Sequence, residues 1–309
     1  MAASWPAGDA RAAGGADTVQ RVSAPVDPRT GWDLPPPGAM ERVAQPEPLV
    51  TRVLAPNPSP MTLDGTNTHL VGEPGSGQVV VVDPGPDDPA HLAAVETAVA
   101  ARGARVVAVL VTHHHGDHAA AALPWGRRFS APVAAANPQV AGPGGRLLQP
   151  GETLRLAGTS LEVVATPGHT ADHLAFRLAS GAVLVGDHVL GRGTSVVTHP
   201  EGDVLAYLES LRRVHDLGPS ALYCGHGPEL TEDAGAVLRF YLAHWAHREL
   251  QLLDVLADGP RTVPELVATV YAAVPRSVWP AAAQSTRATL VKLQAEGRVE
   301  VEGDQVRRA

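Results

Sequence analysis

Between residues 110 and 122 the chain reads LVTHHHGDHAAAA, which crowds His113, His114, His115, Asp117 and His118 into one short run. Imidazole nitrogens and carboxylate oxygens bind divalent metals, and without a metal they serve as general bases. The apolar run RVVAVLVT just before them has the texture of a buried strand, so the histidines fill the loop where that strand ends. Side chains two apart on extended backbone share a face. His113 and His115 can therefore reach one ion from the same side, while His114 between them faces away. Asp117 and His118, at the start of the next helix, point elsewhere and can reach a second ion.

More residues of ligand type obey the same rule. His169 follows LEVVATPG, Asp187 follows AVLVG and His226 follows ALYCG. Each strand delivers its residue just past its C-terminal end, the edge at which α/β sheets bind ligands. A lone strand-end histidine is more often structural, and it is the repetition that carries the argument. The donor set, His113, His115, His118, His169 and His226 with Asp117 and Asp187, needs no thiolate. It suits two divalent ions, zinc first, with manganese or iron as alternatives. Two such ions bring the pKa of a water between them towards neutrality, which points to hydrolysis. Asp117 and Asp187 can orient that water and accept its proton, which makes them the catalytic candidates. Candidate substrate contacts are Asn67 in GTNT, His114 and His188. His173 is a candidate for orienting a ligand, and Cys224 reads as a buried structural thiol.

These residues need a scaffold of short strands. LVTRVLAPNP, THLVG, QVVVVDPGP, ETLRLAG, TSLEVVATPGH and HLAFRLASGAVLVGD read as strands broken by Gly and Pro turns. A helix is expected from His91 to Arg102, and another after Asp203, which is placed to cap it, ending near Gly218. Residues 1–45 are rich in Ala, Gly and Pro without a period, and are expected to be a disordered extension. Residues 46–232 then form the site-bearing domain. Residues 233–309 read as a linking helix and further helices closed by the alternation RVEVEGDQVRR, the outline of a winged-helix-like module.

Composition narrows the function classes. The chain has 309 residues, 44% hydrophobic, and a formal charge of −8, which gives no support to a chain-wide nucleic-acid surface. One cysteine precludes an internal disulfide framework, and a cytoplasmic location is expected, with no membrane association.

THHHGDH matches the HxHxDH signature of the metallo-β-lactamase superfamily, and His169, Asp187 and His226 match its later motifs in order. The resemblance implies an α/β fold, an αββα metallo-β-lactamase sandwich, here with the C-terminal winged-helix-like domain. It implies that His113, His115 and His169 hold one metal, that Asp117, His118 and His226 hold the other, and that Asp187 bridges them. NPSPMTLDGTNTHLVG, TPGHTADH, GDHVLGRGT, GHGPEL and HWAHRELQ further resemble the lactamase-β-like protein 2 family, over roughly residues 48–300. That family includes single-stranded RNA endonucleases, so single-stranded RNA is the substrate the resemblance implies. His69 and His114 depart from it, standing where members carry aromatic residues. The acidic charge favours instead a small-molecule ester, thioester or lactone substrate. An iron-dependent persulfide dioxygenase is a remoter alternative, and a homodimer is a further expectation.

Overall fold

A computed structural model describes residues 23–309. Its first sheet has seven strands in chain order: β1 (Val43–Glu47), β2 (Val50–Leu54), β3 (Asn67–Val71), β4 (Gln78–Val82), β5 (Arg105–Leu110), β6 (Val133–Ala135) and β7 (Arg146–Leu147). Pairing is antiparallel up to β4 and parallel from β4 onward. The switch follows from the connections. Helix α1 (Pro89–Ala101) links β4 to β5, and the short helices α2 (Gly116–Ala119) and α3 (Ala122–Phe129) link β5 to β6. Helix α4 (Pro138–Ala141) precedes β7. The second sheet is made of β8 (Thr153–Leu156), β9 (Thr159–Ala165), β10 (Leu174–Leu178), β11 (Val183–Gly186) and β12 (Leu222–Cys224). Helix α5 (Val204–Asp216) crosses over from β11 to its parallel neighbour β12, and the side chain of Asp203 caps it by accepting from Ala206 N at 3.0 Å.

Strand β4 shows why these strands read as continuous apolar runs. Val80 and Val82 face the second sheet and pack with Phe176, Leu184 and Leu161, whereas Val79 and Val81 face α1 and α3 and pack with Val95 and Trp125. Both faces are buried, so alternation between apolar and polar residues is lost. The outer face of the second sheet is covered in turn by α5 and α6 (Ala234–Ala257), through Leu208, Leu211, Val237 and Tyr241. The layers run helix, sheet, sheet, helix, the expected αββα order.

Helix α6 belongs to two cores at once. Its first half packs on the sandwich, and Leu252, Leu253 and Leu256 pack with Leu266, Leu290, Leu293 and Val306 of the C-terminal module. That module comprises α7 (Val263–Val270), α8 (Trp279–Ala295) and a small sheet of β13 (Arg261–Thr262), β14 (Val299–Glu302) and β15 (Gln305–Arg308). Glu249 of α6 pairs with Lys292 of α8 at 2.8 Å, each side chain 9% exposed. Removing one partner of a pair this buried strands the other charge, at a cost of about 3–5 kcal/mol. Arg248 adds to this tie, its Nη1 donating to the Val270 carbonyl at 3.2 Å.

The expectation that residues 1–45 lack structure is corrected over the part that is described. Residues Pro28–Gly31 form a 3-10 turn with Asp27 at its head, and Arg29 is buried against the sandwich. Strand β1 also begins before residue 46. Composition predicted otherwise because the few residues that anchor the segment are polar and act through hydrogen bonds, not through apolar periodicity. Residues 1–22 lie outside the described residues. Among the described residues, no helix is long and apolar enough to cross a membrane.

Candidate metal centre

At one edge of the sandwich the strand ends converge. His113 and His115 lie in the loop after β5, and Asp117 and His118 lie on α2. His169 follows β9, Asp187 follows β11 and His226 follows β12. All seven meet in the cleft between the sheets. His115 Nδ1 lies 3.0 Å from His113 Nε2 and 3.1 Å from His169 Nε2, which makes one triad. His118 Nε2 lies 3.2 Å from His226 Nε2, and Asp117 Oδ2 lies 3.1 Å from the latter, which makes the other. Asp187 stands between them, with Oδ1 3.3 Å from His118 and Oδ2 3.4 Å from His226 and 3.8 Å from His169.

The outward nitrogens explain why the rings point inward. His118 Nδ1 donates to Asp83 Oδ2 at 2.9 Å, His169 Nδ1 to the Val196 carbonyl at 2.8 Å, and His226 Nδ1 to the Gly65 carbonyl at 3.1 Å. His113 Nδ1 donates to Thr112 Oγ1 at 2.9 Å, and that hydroxyl donates to Asp83 Oδ2. Each of these donations assigns the ring proton to Nδ1 and leaves a lone pair on Nε2. In their neutral forms His118 and His226 would present lone pairs to each other across 3.2 Å, so the metal-free pair takes up protons and a bound cation would take their place. Asp187 Oδ1 has no hydrogen-bond partner despite its nearness to His118 Nε2. Inward lone pairs, outward donors and an orphaned carboxylate oxygen are the pattern of a metal site with its supporting acceptors in place, so the residues fit two divalent ions.

Electrostatics agree. Burial opposes a proton on His226, but Asp187 and Asp117 lift its pKa to about 9. Burial likewise opposes charge on His118, yet Asp187 and Asp83 hold its pKa well above the ordinary histidine value. For Asp187 burial works against ionisation, and His226 and His118 outweigh it, keeping the carboxyl well below its usual range. The site demands positive charge. Space is just as constrained: a Cβ at residue 225 would lie 2.5 Å from Asp187 Oδ1 and 2.6 Å from His118 Cε1, so only glycine fits there.

His114 lies beside His115, with ring centroids 5.2 Å apart, and the two share a further group of ligand type with Glu201. The His114 ring sits at the rim, with Nδ1 2.8 Å from Asp172 and Nε2 2.8 Å from Glu201. Glu201 also approaches His115 at 3.4 Å. Two candidate substrate contacts are corrected. Asn67 is 1% exposed and spends its amide on the carbonyls of Cys224 and Gly227, at 2.9 and 2.7 Å, tying β3 to the loop after β12. His188 is wholly buried against Tyr207, at a ring distance of 4.7 Å, and burial lowers its pKa to about 3. His188 stands beside Asp187 in sequence, but both side chains go into the protein interior. His173 is buried too, and its Nε2 accepts from the Asp187 backbone N–H at 3.2 Å, so it orients the residue between the triads. Cys224 is buried, and burial raises its pKa, as befits a packing thiol. His69 is buried inside the sandwich near Tyr223 and does not line the rim.

Asp83 is the functional residue that sequence reasoning missed. It is 2% exposed and adopts a left-handed backbone (φ 53°), which aspartate tolerates better than most residues. Its place at the end of QVVVVD, one more strand C-terminus, was the available signal, masked by the Pro-Gly turn that follows.

Residues 61–226 match the metallo-beta-lactamase superfamily, and residues 262–308 match the beta-lactamase-associated winged helix domain. A protein of Drosophila melanogaster named beta-lactamase-like protein 2 homolog is 31% identical, over 82% of this chain and 90% of its own. An atrochrysone carboxyl ACP thioesterase of Aspergillus chevalieri is 33% identical, over 80% of each chain. Among solved structures, a metallo-beta-lactamase family protein of Thermus thermophilus superposes with a TM-score of 0.72 at 27% identity, over 86% of this chain and all (100%) of that one.

Proposed function

We propose, for a chain that belongs to the metallo-β-lactamase superfamily of hydrolases, the hydrolysis of an acyl thioester at two divalent metal ions. His113, His115 and His169 would hold one ion and Asp117, His118 and His226 the other, with Asp187 between. When bound, such ions supply Lewis acidity and a water of lowered pKa. The chain's own part is to place acceptors. Asp117, whose side chain is 30% exposed against 12% for Asp187, offers the more accessible carboxylate oxygen to take a proton from the attacking water. Asp187, buried and held by its histidines, orients what lies between the triads.

The observation that carries the substrate class is the rim. Asp172 and Glu201 bracket His114 there, and among the described residues neither forms an ion pair with an arginine or lysine. A polyphosphate backbone approaching this rim meets like charge, whereas nucleic-acid affinity rests on neutralising phosphates with basic side chains. A neutral thioester carbonyl meets no such barrier, and the Aspergillus relative is named as a thioesterase. The test is to offer the purified chain an uncharged acyl thioester of N-acetylcysteamine, a lactone and single-stranded RNA, each before and after chelation. Thioester cleavage that chelation abolishes is the expected result. RNA cleavage without thioester cleavage would overturn the substrate assignment and leave the metal centre standing.

A further inference from the structure

Residues 27–38 run across the loop between β11 and α5, to which Arg29 and the Pro35 carbonyl both bond. Arg29 is 5% exposed, and all its guanidinium nitrogens are engaged. Nε and Nη2 donate to Asp27 at 2.8 and 2.6 Å, Nη1 donates to the Leu190 carbonyl at 2.7 Å, and Nη2 donates also to the Gly193 carbonyl at 2.7 Å. Its carbon Cζ lies 5.6 and 5.7 Å from the ring centroids of Phe240 and Tyr241 on α6. The Tyr241 hydroxyl accepts from Leu190 N at 2.9 Å, so the loop is gripped from both sides. Three residues beyond Gly193 comes Val196, whose carbonyl is the acceptor for His169 Nδ1. Between them the Ser195 hydroxyl donates to the Asp187 carbonyl.

We propose that Arg29 is a positioning residue for the first triad: by fixing the loop from Leu190 to Val196 it holds the carbonyl that keeps His169 with Nε2 facing His113 and His115. The inference rests on the metal reading given above. A guanidinium suits the task because its planar fork reaches two carbonyls and a carboxylate at once, which a lysine ammonium cannot do in one geometry. A buried arginine placed only to fill space would need neither carbonyl. The segment that composition marks as disordered thus contributes to the centre without touching it.

The test uses the full chain and its Arg29→Ala and Arg29→Lys variants. In metal-free protein the imidazole nitrogen spectrum of His169 should show an Nδ1-protonated ring in the wild type and tautomer exchange in Arg29→Ala. Zinc titration should show the first triad weakened by about 10-fold, the lower end of what is lost when a ligand's supporting acceptor is disturbed, with the second triad unchanged. Millimolar guanidinium should restore Arg29→Ala and should not restore Arg29→Lys, whose side chain fills the slot. In a His115→Ala background the Arg29 substitution should have no further effect on metal binding. Unchanged tautomer and zinc affinity in Arg29→Ala would overturn the proposal, as would equal weakening of both triads without rescue. If Arg29→Ala does not fold, Arg29→Lys, which retains the charge without the fork, decides by the same two readouts. A wild-type chain that binds no ion would sink the metal reading instead, and the His169 tautomer would still decide the role of Arg29.

Discussion

The two triads solve one problem in different ways. His113, His115 and His169 are all imidazoles; His113 and His169 are oriented by neutral oxygens, the Thr112 hydroxyl and the Val196 carbonyl. The side chain of His115 is 30% exposed and lies on a loop. Around His118 the side chains are almost sealed, at 0% exposure for His118 and 3% for Asp83, and carboxylates approach from several directions. Buried carboxylates need compensating positive charge, because the desolvation cost is several kcal/mol per ion. Protons on His118 and His226 meet that need in the metal-free chain, and divalent ions would meet it better. The second triad is therefore held together by charge in a closed place, and the first by geometry in a more open one. A chelator should empty the first triad sooner.

Substitutions can break that contrast or sharpen it. The largest effect is expected from Asp187→Ala, since this residue faces both triads: turnover should fall about 10²–10⁴-fold, with metal lost from both, as read by steady-state rates and metal analysis. Near-normal turnover with two ions bound would end the two-metal reading. His115→Ala comes next and should leave one ion per chain, in the second triad, because a lost imidazole has no replacement but water. Loss of both ions would mean that the triads are not independent. Asp83→Asn should weaken both triads by about 10–100-fold in a calorimetric zinc titration, since His118 reaches Asp83 directly and His113 reaches it through Thr112. An effect confined to His118's triad would show that the Thr112 relay carries nothing. The smallest change is expected from His114→Ala, which should keep both ions and move KM more than kcat, because its ring nitrogens are engaged by Asp172 and Glu201 at the rim. Metal loss equal to that of His115→Ala would refute the assignment of opposite faces.

Much of the centre was legible because ligand residues recur at strand ends, and strand ends announce themselves by apolar runs that stop. His113, His115, Asp117, His118, His169, Asp187 and His226 all arrive in this way. Neighbours of the same chemical type were misjudged for the converse reason. His188 follows Asp187, and Asn67 opens β3 just after a polar turn, yet both side chains go into the core, where burial and not proximity decides their role.

What the sequence by itself determined is the placing of the candidate ligands at strand ends and of His113 and His115 on one face, which follow from local periodicity and the identity of side chains, while the fold class came from the family resemblance that its motifs carry. What only the tertiary structure decided is who holds the ligands still. Asp83, the Val196 and Gly65 carbonyls, His173 and Arg29 act across separations that no local pattern encodes, and two of these partners are backbone atoms that every residue possesses. A hydrogen bond to a carbonyl leaves no trace in residue type, so it becomes visible only when the chain has folded and brought the two strands' ends together.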